Sequence, residues 1–411
     1  MNKPYPVFTA LHIRFACAVL SIFLAVTWHV AMAASPSVQF TLGGYLNSAV
    51  PISFNLVSLQ TFVAFNPSAQ QTVSVTNSSG GTDVYTGISL SSFLNAYIKT
   101  DPTVPKNDIL RVYVVATGTD GYRSVFSLGE INSSFGNQND IIAYQLNGQP
   151  LTTNGFARIV APGDVAAGRW VSNLASLEVG HVPYTVGSGG FSPQFSISGQ
   201  VSTPLTYNAT TSTGLPASTV TVNTPPLAGT TYTGVSLWSL LNLAVIITDP
   251  TVKNDILGKF VIATGSDGYQ SVFSLGELSP NFGNQADLVA YANAPGNPLT
   301  TDGFAKIVVP GDLAKAGRYV SNLVSLQIVS APTLTPVECL FNWAEKNYPS
   351  LFTPTGFPTA ISTAYTYRNY SSTNAFLGVS AANNHVYYIG PDGKSQDEGQ
   401  LSNWLNMAGC Q

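Results

Sequence analysis

Three pairs of side chains carry most of the chemistry this sequence can offer. They are Arg169 and Arg318 in "AGRWVSN" and "AGRYVSN", Glu130 and Glu277 closing two "VFSLGE" runs, and Tyr122 and Tyr269, each after an Asp-Gly pair. A guanidinium presents a planar fork that suits phosphate or carboxylate. Paired carboxylates support general acid–base work. The plainer alternatives are a surface ion pair or an aromatic lid for each arginine and a structural role for each glutamate. Asp120 and Asp267 precede Gly, where Asp is favoured for backbone reasons, and Asp164 and Asp312 follow "PG" as turn or cap residues. Asp140 and Asp287 complete the duplicated carboxylate set. "ATGSDG" lacks the lysine of a phosphate loop and the spacing of a dinucleotide fingerprint. Beyond the amino-terminal stretch the histidines are His181 and His385. Neither a His/Cys metal site nor a Ser-His-Asp set is therefore expected inside the duplicated segments.

These residues come in pairs because the chain repeats itself. Asn107 to Glu130 aligns with Asn254 to Glu277 without a gap and differs at six of 24 positions. The match continues through "FGNQNDIIAY" and "FGNQADLVAY", and "PLTTNGFARIVAPGD" and "PLTTDGFAKIVVPGD", up to the arginine segments. A period near 148 residues is far longer than a solenoid unit, so each copy is a whole domain, duplicated.

Within a copy, the elements that must position these side chains can be read from periodicity. "VQFTLGG", "QFSISGQ" and "TVTVN" alternate as strands with one buried face. "KFVIATGSDGYQSVFSL" reads as a hairpin about Asp-Gly. "GVSLWSLLNLA" has helical spacing, with Thr233 and Gly234 as start signals. "AKIVVPGD" and "VSNLVSLQIV" read as closing strands. The expected fold is α+β and dominated by antiparallel pairing. "GHVPYTVGSGGFSPQ" (Gly180 to Gln194) reads as a linker, and "SAPTLTP" as a second boundary. The tail beyond it predicts a short helix, the strands "YTYRNY", "AFLGVS" and "HVYYIG", and a closing helix, "GQLSNWLNMAGC". Tyr365, Tyr367, Tyr370, Tyr387 and Tyr388 are candidates for an aromatic binding face or for packing.

Composition narrows the function class. Only 9% of the 411 residues are charged, the formal net charge is −4, and there is no basic run. Nucleic acid is not an expected partner. Lys3, His12 and Arg14, an apolar run from Phe15, and "AMAAS" form a secretory-signal pattern with a cut after Ala33. The mature protein is then expected to be periplasmic or secreted, with no membrane span after cleavage. Two cysteines remain, Cys339 and Cys410. In an exported chain they read as a disulfide closing the tail, worth about 4 kcal/mol in the chain-entropy model. The expected organisation is a signal peptide over 1–33, domains over 34–185 and 190–330, and a disulfide-closed α+β module over 336–411.

The run "IIAYQLNGQPLTTNGFARIVAPGDVAAGRWVSNLASLEV" and its second copy resemble the molybdopterin-binding domain of sulfite-oxidase-like oxidoreductases. The likeness lies in "AY-x-x-NG-x-PL", "GF", "R-x-V-x-PG" and "G-x-R-x-V", taken in order. It implies two tandem domains of that α+β type, with cofactor contacts carried over at Arg169 and Arg318. Tyr122, Tyr269, Glu130 and Glu277 line whatever groove remains. The sequence departs from the family where the chemistry sits. The strand expected to carry the molybdenum-ligating cysteine corresponds to Thr72 to Asn77 and Thr219 to Asn223, and neither contains Cys. The family's histidine before "GF" is Asn154 here and Asp302 in the second copy, and its later lysine is Ser172 and Ser321. The tail resembles a small module found at the ends of exported bacterial proteins.

The expectation from sequence is an exported binding or scaffold module without molybdenum ligation, with no cofactor expected and molybdopterin left open. Its partner would be a periplasmic protein or a small-molecule ligand. The alternative is an oxidoreductase holding molybdopterin noncovalently in at least one copy. A further reading is a surface protein whose Ser/Thr/Asn-rich faces meet carbohydrate.

Overall fold

Short strands are the main regular element of this chain, some alternating between a buried and an open face, as Leu174–His181 does, and others, such as Val112–Gly118, buried on both. The computed structural model describes residues 36–408, apart from the short segments 49–51, 105, 213, 224, 295, 314–315, 333–335, 349, 353–359, 363 and 371–372. The signal pattern and Cys410 lie outside the described residues, as does the side chain of Cys339, and with them the disulfide.

Each repeat contains two five-stranded sheets of the same order. In the first repeat one sheet runs Ile52–Phe54, Phe40–Gly44, Leu174–His181, Val112–Gly118, Arg123–Ser127. Its counterpart in the second runs Leu205–Asn208, Gln194–Gly199, Leu323–Ser330, Lys259–Gly265, Gln270–Ser274. Pairing is antiparallel except where the first strand of each repeat lies parallel to its last, with Thr41 opposite Ser176 and Ser196 opposite Ser325. The other sheet of each repeat is built around Ile141–Leu146 or Leu288–Ala294. Each repeat has its own apolar core, one around Phe40, Phe93 and Phe126 and the other around Phe195, Leu240 and Phe273.

The Asp-Gly hairpin forms in both copies, with Val115 opposite Val125 and Ile262 opposite Val272. Gly121 and Gly268 take positive φ in these turns, where a Cβ would be strained. The helix Leu237–Leu243 starts one turn later than its sequence suggests. Thr233 and Gly234 belong to the strand Thr231–Ser236, and Ser236 caps the helix by accepting from the Ser239 N–H. A hydroxyl two residues further on competes better because it can face the open N–H groups.

Two segments depart from the symmetry. From Gly44 to Asn77 the first repeat spans nine more residues than Gly199 to Asn223, and it uses them for the helix Leu56–Phe65. That helix is capped by Asn55 and Ser58 in a reciprocal box. It flanks an open groove of about 690 Å³ beside Phe54 and Tyr97. The stretch joining the repeats is held in place: Gly187 and Gly189 donate to Asp267 and Ser266, and Ser266 Oγ donates to the Gly190 carbonyl.

In the tail, Ala360–Ile361, Tyr365–Tyr370, Ala375–Ser380, His385–Ile389 and Ser395–Gln400 form a meander. The helices Pro336–Asn347 and Leu401–Ala408 cover one of its faces through Leu340, Phe341, Ala344 and Leu401. The last strand, "SQDEGQ", has no apolar pattern and was not visible in the sequence. No helix among the described residues is long and apolar enough to cross a membrane.

Candidate functional site

The duplicated hairpins face each other. Tyr113, Val115 and Val125 of the first repeat pack with Phe260, Ile262 and Val272 of the second in one apolar cluster, and the Tyr113 and Phe260 rings lie 4.3 Å apart. This seam continues into the short helices Leu128–Ile131 and Leu275–Leu278. There all six sequence-derived site residues come together.

Arg169 and Arg318 are buried at 2% exposure and Glu130 and Glu277 at 0%. Nη1 of Arg169 donates to Glu130 Oε1, while its Nε and Nη2 meet the Asp164 carboxylate at 2.8 and 2.5 Å. Arg318 repeats the arrangement with Glu277, and with Asp312 at 2.8 and 2.7 Å. Each guanidinium also lies over an aromatic ring, Arg169 on Phe126 and Arg318 on Phe273. The aromatic lid is thus realised, while the ion pair expected at the surface is instead buried on both sides.

The second oxygen of each glutamate crosses to the other repeat. Ser274 Oγ donates to Glu130 Oε2 at 3.1 Å, and Ser127 Oγ donates to Glu277 Oε2 at 3.3 Å. The same hydroxyls cap their own helices by accepting from the Glu277 and Glu130 N–H groups. Each arginine stem likewise crosses. A Cβ on Gly276 would stand 2.5 Å from Arg169 Cδ, and one on Gly129 would stand 2.6 Å from Arg318 Cδ. Gly276→Ala is accordingly expected to cost about 1–3 kcal/mol by overpacking, because Arg169 is held by two carboxylates and cannot retreat. A urea unfolding series against wild type measures this.

Tyr122 and Tyr269 complete the seam. The Tyr122 hydroxyl donates to the Gly168 carbonyl and accepts from Asn254 Nδ2 at 2.8 Å. Tyr269 donates to the Gly317 carbonyl and accepts from Asn107 Nδ2 at 2.8 Å. Backbone bonds reinforce the pattern, from Val165 to the Phe282 carbonyl and from Leu313 to the Phe135 carbonyl. Sequence reasoning missed Ser127, Ser274, Gly129, Gly276, Asn107 and Asn254. Their signal was present, since all six fall in the stretch where the copies are most alike.

Electrostatics make the seam unusual. Two guanidiniums serve six mutually interacting buried carboxylates, Glu130, Asp140, Asp164, Glu277, Asp287 and Asp312. Fully ionised, the group would be strongly negative in a medium that stabilises charge poorly. Burial pushes Glu130 up to about 7, against the pull of Arg169 and with a further push from Glu277. Asp140 and Asp287 are raised well above the usual carboxylate range, again chiefly by burial. Neither Asp287 oxygen has a hydrogen-bond partner.

A molybdenum-pterin group finds a poor donor set here. Both arginines already face carboxylates, so an anionic phosphate would have to displace two acids from each. Asp302, where the resembled family has histidine, accepts from Lys306 Nζ at 2.9 Å and Ser321 Oγ at 2.7 Å, so its carboxylate is occupied by its own repeat. The strands Gln70–Thr76 and Ser218–Thr221 carry no thiol, so neither offers a thiolate to a metal. They present threonines instead, paired across the sheet as Thr72 with Thr86 and Thr219 with Thr233. No group of three or more His, Cys, Asp or Glu residues among the described residues is arranged to hold a metal.

No family model matches the chain, and no curated protein matches it. Among solved structures, 17 chains match. One is the sulfane dehydrogenase SoxCD from Paracoccus pantotrophus, which is 12% identical with a TM-score of 0.27, over 87% of this chain and 77% of that one.

Proposed function

We propose that this protein is an exported binding or scaffold module in which two tandem copies of a molybdopterin-binding-like domain have given up molybdenum ligation. In this reading the residues that could have held an anionic cofactor fasten the copies to each other. The observation that carries it is the engagement of Arg169 and Arg318, each by a glutamate and an aspartate, inside the seam. A guanidinium so saturated has no free fork to offer a ligand. The missing thiol in both candidate strands points the same way.

The test is metal and pterin analysis of the protein purified with its own leader from a host that makes molybdenum cofactor. The expected result is a folded protein with neither molybdenum nor pterin in stoichiometric amount. Cofactor near one per chain would overturn the reading and support the oxidoreductase alternative.

A further inference from the structure

Five tail tyrosines were candidates for one aromatic face, and the structure divides them. Tyr370 and Tyr388 turn toward the helices and join the core of Phe341, Leu377 and Val386. Tyr365, Tyr367 and Tyr387 alternate to the opposite face, as strand geometry requires, where they are half-buried and joined by Phe376. Tyr365 meets both Phe376 and Tyr387 edge-on, at 5.8 and 5.7 Å, and Tyr367 stacks on Phe376 at 5.1 Å. The register puts Tyr367, Gly378, Tyr387 and Asp397 in one row across four strands.

Gly378 shapes this surface. A Cβ there would stand 2.7 Å from the Phe376 ring and 3.0 Å from Tyr367 Cβ. The glycine thus lets Phe376 lie down over the strand instead of standing off it, giving a low aromatic platform.

Polar chemistry gathers at one edge of the platform. His385 Nδ1 bonds the Asp397 carboxylate at 2.8 and 2.9 Å, Tyr387 donates to Asp397 at 3.1 Å, and Asn383 Nδ2 donates to the Tyr387 hydroxyl at 3.0 Å. A carboxylate only accepts, so it fixes the proton on Nδ1 and leaves Nε2 of the neutral ring as an acceptor. The side chain of His385 is 27% exposed. The cation on the neighbouring strand, Arg368, is turned to the helix side by Glu345, and Lys394 in the adjoining turn faces Asp392. Flat rings, a hydroxyl acceptor and a fixed carboxylate, with both described cations of the module facing acids, disfavour polyanions. They suit a neutral polyol, whose C–H groups can lie on the negative ring faces while a hydroxyl donates to the imidazole.

We propose that this sheet face, formed by Tyr365, Tyr367, Phe376 and Tyr387 with His385 and Asp397 at its edge, binds neutral carbohydrate. The site is independent of the seam between the repeats, so cofactor analysis and sugar binding can fail separately. The full chain is to be tested by affinity electrophoresis and titration calorimetry against cellohexaose, N-acetylchitohexaose, mannan and dextran, with heparin and polygalacturonate as anionic controls. The expected result is binding to at least one neutral glycan that survives about 0.5 M salt. Tyr365→Ala and Tyr387→Ala should each weaken it about ten-fold or more, with far-UV circular dichroism unchanged. His385→Gln, at a partly exposed position, should weaken it without touching the rings, and this keeps the test decisive if a tyrosine variant misfolds. Failure to bind any of the four neutral glycans would overturn the proposal. So would binding that persists in His385→Gln and both tyrosine variants, or binding to the anionic polymers alone that salt abolishes.

Discussion

Arg318→Ala is expected to destabilise the protein by about 3–5 kcal/mol, the cost typical of removing one partner from a buried ion pair. The substitution strands Glu277 and Asp312, both buried, and empties the space against Gly129 in the other repeat. Arg169→Ala should behave alike. The two losses should not add, because both arginines belong to one carboxylate group linked through Glu130 and Glu277. A double-mutant cycle in urea gives the coupling directly. A loss under about 1 kcal/mol for either single variant would place these arginines with ordinary surface pairs and leave the joining of the repeats to the apolar cluster and the Ser–Glu and Asn–Tyr bonds.

Stability should fall as pH rises from about 5 to 7.5, the reverse of the usual acid-labile pattern. Glu130 titrates ordinarily at 4.5 and is pushed up to about 7 in the fold, first by burial. Between those values the native protein keeps a proton that the unfolded chain has released. Stability from this group is therefore full below the unfolded value and is lost as pH climbs through the folded one. Its contribution is on the order of 3 kcal/mol. Asp140 and Asp287 are raised in the same direction and add to the slope. Asp108 opposes it below its ordinary value of 3.8: despite burial, His181, the Asp101 N–H and Arg111 hold it low, so acid weakens that site. Urea midpoints measured across the range should decline toward pH 7.5, and Glu130→Gln should flatten the decline. A midpoint that climbs over the same range would show the seam fully ionised.

Much of the fold was legible because it is local. The Asp-Gly turn gave the hairpin Lys259–Gly265 with Gln270–Ser274, and helical spacing gave Leu237–Leu243. The parallel pairing of each repeat's first and last strands spans more than 100 residues and leaves no local trace. Ser395–Gln400 is held by its neighbour's hydrogen bonds, not by apolar alternation, so its composition hides it. The site was half legible. Residue types marked Arg169, Glu130 and Tyr122, but Gly276, Ser274 and Asn254, which meet them from the other copy, lie one repeat away, and no spacing argument reaches that far. What could have exposed them is the unevenness of the duplication. A surface that faces its own copy constrains both sides at once, so Ser127 and Ser274, or Gly129 and Gly276, stay identical while the helix Leu56–Phe65 appears in one copy only.

Ser127 and Ser274 each close a helix of their own repeat and reach a carboxylate of the other. During synthesis this imposes an order of events. The first repeat is complete roughly 150 residues before its counterpart, an interval of roughly ten to thirty seconds at ordinary elongation rates. Through that interval Arg169 has Glu130 and Asp164 of its own repeat, while Ser127 and the apolar patch around Val115 and Val125 still lack their mates. The bonds between the copies and the closing of that patch therefore come last, since they need both repeats in place.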